Sequence, residues 1–111
     1  MPKIDLNTFH SLKESTGGDF IGELIDAFLD DGPTLMNEMR TGLVSGNADS
    51  FRRAAHSMKS NAATFGAMEL SALAKELETL GRENNLSIGD RLERLEAEFR
   101  LVAKELNTLK Q

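Results

Sequence analysis

Phe51-Arg52-Arg53-Ala54-Ala55-His56-Ser57-Met58-Lys59-Ser60-Asn61-Ala62-Ala63-Thr64-Phe65-Gly66 is the stretch whose reading decides the fold. Its apolar residues Phe51, Ala55, Met58, Ala62 and Phe65 recur at steps of four, three, four and three, the spacing that aligns one buried stripe on an α-helix. His56 stands one residue off that stripe. Three, four and seven positions from it lie Arg52, Arg53, Lys59, Ser60 and Ala63, so its neighbours on the helix surface are cations and small side chains. A large anion can approach there.

The same period extends in both directions. Gly66 closes this helix, and Asn47, after Val44-Ser45-Gly46, is placed to cap its start. Upstream, Phe20, Ile21, Leu24, Ile25, Phe28 and Leu29 form a wide apolar stripe that resumes at Leu35, Met36, Met39 and Leu43. Gly32-Pro33 lies between the two halves, and proline removes a backbone donor, so a kink rather than a restart is expected near Asp30 and Asp31. Asp26, Asp30 and Asp31 lie along a helix rather than converging from a turn, which reads as a solvated face and not a cation site. Downstream, Leu70, Leu73, Leu77 and Leu80 share one face, with Ala74 and Gly81 beside them. Ser87 and Asp90 resemble a capping box ahead of Ile88, Leu92, Leu95, Phe99, Val102, Leu106 and Leu109. Near the start, Asp5 can cap a short helix through Leu6, Phe9 and Leu12, stopped by Gly17-Gly18.

These segments predict an all-α protein: an antiparallel up-down four-helix bundle with a short extra N-terminal helix. The expected single domain spans 1–111, with the short helix at about 5–15 and bundle helices at about 19–43, 47–65, 67–84 and 88–109. Met36, Met39 and Met58 sit at core spacing and read as packing residues rather than ligands.

Composition narrows the chemistry. A chain of 111 residues can bury roughly 65% of its unfolded surface in one core. Without cysteine it has neither disulfides nor thiolate chemistry. The two histidines, His10 and His56, stand far apart in sequence and give no metal site. The net charge of −5 argues against nucleic-acid binding. No apolar run is long enough for a secretory leader or a membrane span, so a cytoplasmic protein without membrane attachment is expected. Charge is also unevenly spread: residues 51–65 hold three cations and no acid, whereas residues 1–50 hold three cations against nine acids. Such a run can arise by chance, and arginine stems also cover apolar surface.

An unperturbed imidazole titrates at about 6.5 and is a good nucleophile when neutral, and cations on adjacent turns are expected to favour that form. The same cations would hold phosphoryl oxygens, which is most of what phosphoryl transfer asks of a protein.

Ala55-His56-Ser57-Met58-Lys59-Ser60, followed by Phe65-Gly66-Ala67 and by Leu70, Leu73 and Leu77-Glu78, resembles the signature of the histidine phosphotransfer (HPt) domain family: histidine, lysine at plus three, a small residue at plus four and glycine at plus ten. The resemblance covers nearly the whole chain. It implies that His56 is phosphorylated, that Lys59 steadies the phosphoryl group, that Ser60 leaves room for a docking receiver domain, and that Gly66 ends the helix and packs tightly. Arg52, Arg53, Ser60 and Ala63 would form the partner-binding rim.

The implied function is relay of a phosphoryl group between receiver-domain aspartates in a two-component phosphorelay, by a stoichiometric carrier without an ATP site. No cofactor of its own is expected, the Mg²⁺ belonging to the receiver. Response-regulator receiver domains and a hybrid sensor histidine kinase are the expected partners of a monomer. A dimerising kinase helix would carry an acid directly after the histidine and a proline soon after, whereas Ser57 follows here and no proline occurs after Pro33. Neither G-x-x-x-x-G-K-[ST] nor G-x-G-x-x-G is present. A helical adaptor that binds through the His56 face without chemistry, and the phosphorylated module of a chemotaxis-type kinase, are the alternatives.

Overall fold

Five helices and no strand make up residues 2–110, the part of the chain that this computed structural model describes. They are α1 (Leu6–Ser15), α2 (Ile21–Ser45), α3 (Ala48–Phe65), α4 (Met68–Arg82) and α5 (Arg91–Lys110). Two-residue connections join α2 to α3 and α3 to α4. Helix α3 packs against α2 on one side and α4 on the other, α5 lies against α4 and α2, and α1 leans on α3.

Local chemistry explains most of the helix ends. Asn47 accepts a hydrogen bond from the Ser50 backbone N–H through Oδ1, capping α3. Gly66 follows α3 with φ +85°, a left-handed conformation that L side chains adopt at a cost. A Cβ there would also lie 2.8 Å from the Asp5 carbonyl oxygen. Two ends differ from the sequence expectation. Helix α5 begins at Arg91 rather than near Ile88, because Gly89 takes φ +61° and Arg91 N–H bonds back to the Ile88 carbonyl. The Ser87 N–H is occupied by Asn85 Oδ1, so no capping box forms there. At the start of α1, the Asp5 carboxylate accepts from the Thr8 hydroxyl and caps no backbone N–H.

Helix α2 runs unbroken through Gly32-Pro33 and does not restart. A proline inside a helix costs about 3 kcal/mol, whereas each well-buried side chain contributes about 1.5–3 kcal/mol. Ile21, Ile25 and Phe28 before the proline, and Met36 and Met39 after it, are all buried on one stripe, and together they outweigh the lost bond. Gly32 serves packing, not helix termination: a Cβ at that position would sit 2.2 Å from Cζ of Phe99. The Phe99 ring therefore rests directly on the α2 backbone. It also meets Phe28 at a centroid distance of 5.4 Å, and Phe28 meets Phe65 at 5.2 Å, so three phenylalanines tie α2, α3 and α5 together.

The N-terminal segment is pinned to the bundle end. Backbone N–H groups of Lys3 and Ile4 both donate to Glu105 Oε2, and Lys3 Nζ pairs with Glu69 and with the buried Glu98. Asp5 N–H donates to the Gly66 carbonyl at 2.8 Å. Ile4 and Phe9 are buried by this clamp.

Gly32→Ala is therefore expected to destabilise the fold by about 1–3 kcal/mol through overpacking against Phe99. Gly22→Ala, whose nearest neighbour would be Lys110 carbon at 3.9 Å, should be neutral or stabilising by up to about 1 kcal/mol. Thermal melts of the two variants beside the parent check the ranking, and equal midpoints for all three would contradict it.

Candidate functional site

His56 lies in the middle of α3 on its open face, with 54% of its side chain exposed. Beneath it is Glu78 of α4, whose side chain is only 4% exposed. Its Oε2 is 2.6 Å from His56 Nδ1 and 3.2 Å from an Arg82 guanidinium nitrogen, and its Oε1 is 2.7 Å from Lys59 Nζ. One buried carboxylate thus gathers three side chains from two helices.

The packing of α3 on α4 makes that reach possible. Glu78 borders the buried stripe of Leu70, Ala74 and Leu77, so it faces α3 rather than solvent. One turn on, Gly81 lets the backbones close: a Cβ there would lie 3.0 Å from Arg52 Cβ. Nearer the start of α4, the Ser71 hydroxyl donates to the Lys59 carbonyl at 3.0 Å. These two contacts bracket Glu78 and set the register in which it meets His56 and Lys59.

Burial pushes the Glu78 carboxyl up, but the hydrogen bonds and charges of Lys59 and His56 outweigh it and hold the group below its ordinary range. An ionised carboxylate only accepts, so Nδ1 of His56 donates the proton in their bond. In the neutral ring the free lone pair then belongs to Nε2. The inner nitrogen is committed and the outer one is available as a nucleophile.

The cationic rim expected from the sequence is arranged differently. Arg52 and Arg53 both pair with Asp49, at 2.7 and 3.1 Å, an acid just outside the window that looked purely basic. Arg52 hydrogen bonds and Arg53 charge hold the exposed Asp49 carboxyl below its usual range. Lys59 is turned to Glu78. The imidazole therefore has a carboxylate at Nδ1 and paired cations around it. The sequence pattern gives Glu78 no role. The available signal was a glutamate set between Leu77 and Gly81 at the edge of an apolar stripe, where a charge needs partners.

On the α2 side, His56 borders a groove of about 420 Å³ lined by Asp31, Thr34, Leu35 and Glu38 opposite Ser57, Ser60 and Asn61. Ser60 is exposed in this groove, Arg53 lines an adjoining hollow with Leu35 and Glu38, and Ala63 is half-buried one turn beyond. Asp31 and Glu38 form no ion pair among the described residues. His10 is exposed with its ring edge-on to Phe9 at 6.2 Å. Among the described residues no cluster of His, Asp or Glu could hold a metal ion, and no helix is long and apolar enough to cross a membrane.

Comparison with known proteins adds a family. Residues 23–111 match the family described as Hpt domain. The crystal structure of histidine-containing phosphotransfer protein B (HptB) from Pseudomonas aeruginosa PAO1 is similar to this chain with a TM-score of 0.93 and 30% sequence identity, over 99% of this chain and 96% of that one. No curated protein matches the sequence.

The lowered titration of Glu78 has a consequence for stability. Near pH 4 the unfolded chain binds more protons at this residue than the folded chain does, so stability rises with pH there. The contribution is complete above the 4.5 of an ordinary glutamate and is lost as pH falls through the lowered folded value. Urea midpoints at pH 6 and pH 3 should fall less steeply for Glu78→Gln than for the parent, with the variant weaker by about 1–3 kcal/mol at pH 6. Exposed carboxylates contribute equally to both proteins, so parallel pH profiles would contradict the assignment.

Proposed function

This chain belongs to the Hpt domain family, and on that premise we propose that it carries a phosphoryl group on Nε2 of His56 between receiver-domain aspartates of a two-component phosphorelay. The observation that carries this reading is the Nδ1–Glu78 hydrogen bond of 2.6 Å beneath an exposed ring. It leaves one nucleophilic nitrogen, directed outward, on a helix that does not need to move.

In the proposed transfer, the Nε2 lone pair attacks the phosphorus of a receiver's aspartyl phosphate. The P–O bond breaks and the aspartate leaves with the electron pair. The Nδ1 proton stays in place, so the ring becomes cationic opposite the ionised Glu78, which stabilises the charge as it develops. The reverse sequence delivers the group to a second receiver. Mg²⁺ and the acidic pocket around it are the receiver's contribution. Lys59 steadies phosphoryl oxygens, Ser60 gives the receiver clearance, and Arg52, Arg53 and Ala63 extend the contact rim beside the α2 groove. Gly66 holds the end of α3 against the N-terminal segment.

The chain works stoichiometrically and draws its phosphate from a hybrid sensor kinase, without an ATP site of its own, as a monomeric cytoplasmic protein acting on neither nucleic acid nor membrane. The same reading takes residues 1–111 as a single domain, an antiparallel up-down four-helix bundle with α1 added at one end. Support for that arrangement comes from the short turns at Gly46-Asn47 and Gly66-Ala67 and from the closed order of packing α2, α3, α4, α5.

Incubation with a phosphorylated receiver should place an acid-labile, base-stable label on the chain. His56→Gln should abolish it and His10→Gln should not; label that persists in His56→Gln overturns the assignment, and tight binding without label supports an adaptor. In single-turnover transfer at saturating receiver, Lys59→Ala should be slower by about 100- to 1,000-fold, the range for losing one donor to developing oxyanion charge.

A further inference from the structure

Glu78 holds two cations where charge balance needs one. Lys59 of α3 is bound at Oε1 at 2.7 Å, and Arg82, one turn along α4 from Glu78, is bound more loosely at Oε2 at 3.2 Å. Their exposures differ as well: the Lys59 side chain is 28% exposed and that of Arg82 is 62%. If His56 receives a phosphoryl group, Lys59 faces two anions, the carboxylate below it and the phosphoryl oxygens above. It cannot serve the second while it alone neutralises the first, because a buried carboxylate without a cation is strongly disfavoured.

We propose that Arg82 is a positioning residue that takes over Glu78 when Lys59 turns to the phosphoryl group. The proposal rests on the phosphocarrier reading and deepens it. Arg82 is suited to the task by its chemistry. Its guanidinium carries several donors in one plane and stays charged at any working pH, so it can close on Oε2 or span both oxygens. Its place four residues after Glu78 on the same helix keeps it within reach whatever Lys59 does. Arg52 and Arg53 on the facing helix are both engaged by Asp49. Without Arg82, two outcomes remain for the site. Lys59 stays on Glu78 and leaves the phosphoryl oxygens unattended, or Glu78 takes the proton from Nδ1 and the ring loses the cationic form that Glu78 stabilised. Both slow phosphorylation of His56.

The test uses the full chain with potassium phosphoramidate as phosphoryl donor, followed by ³¹P NMR, so that no receiver interface enters the rate. Nε2 bonds to phosphorus, the P–N bond of the donor breaks and ammonia leaves with the electron pair, while the ring keeps its Nδ1 proton. The exposed His10 serves as an internal reference. Arg82→Ala should slow His56 labelling about fivefold or more, within the range of coupling between contacting residues, and leave His10 labelling unchanged. Arg82→Lys should restore most of the rate. Parental rates in Arg82→Ala, or equal slowing in Arg82→Ala and Arg82→Lys, overturn the proposal. Arg82→Gln provides the same comparison should the alanine variant fail to fold. Failure of the parent protein to label His56 faster than His10 is a different result, and it counts against the phosphocarrier reading itself.

Discussion

The constraint on which the site depends is a carboxylate taken out of water. Glu78 is buried between α3 and α4, and such a group persists only where hydrogen-bond donors and positive charge meet it from several directions. His56, Lys59 and Arg82 supply them. Because the carboxylate is fixed, the imidazole is fixed too, in ring orientation and in tautomer. The direction of the ring's free nitrogen is therefore set by a buried residue.

Holding Glu78 there requires two helices at close range, and the rest of the bundle maintains that range. Gly81 permits the approach, Ser71 ties α4 to the Lys59 carbonyl, and Phe51 fits closely between Gly42 of α2 and Gly81 of α4. The Phe28, Phe65 and Phe99 rings close the opposite side of the core over Gly32. At the far end, Lys3 and Ile4 are clamped by Glu105, Glu69 and Glu98, and Asp5 is hydrogen-bonded to Gly66. A histidine carried on packed helices needs no closing lid to hold its ring in place.

The electrostatics show how neutralisation is shared out. The short basic run around His56 is balanced locally by Asp49 and from another helix by Glu78, whereas Asp31 and Glu38 stand opposite Ser57 and Ser60 across the groove. The surface around the histidine is thus less basic than its own helix suggests. The face around His56 presents paired arginines on one side and the carboxylates of Asp31 and Glu38 on the other.

Much of this was legible along the chain. The helical period is a local property, so the stripe of Phe51, Ala55, Met58, Ala62 and Phe65, the position of His56 beside it, and the cap at Asn47 follow from residues at most a few turns apart. The spacing from His56 to Lys59, Ser60 and Gly66 carried the family for the same reason. What the tertiary structure alone decided concerns residues distant in sequence. Phe99 explains Gly32, and core burial on both sides carries α2 through Pro33, although the proline itself argues for a break. Glu78 stands 22 residues from His56, and no periodicity states that its carboxylate will lie under that ring. Which cation is paired and which nitrogen is free depend on side-chain direction across a helix interface, and a linear pattern records only which face of its own helix each residue occupies.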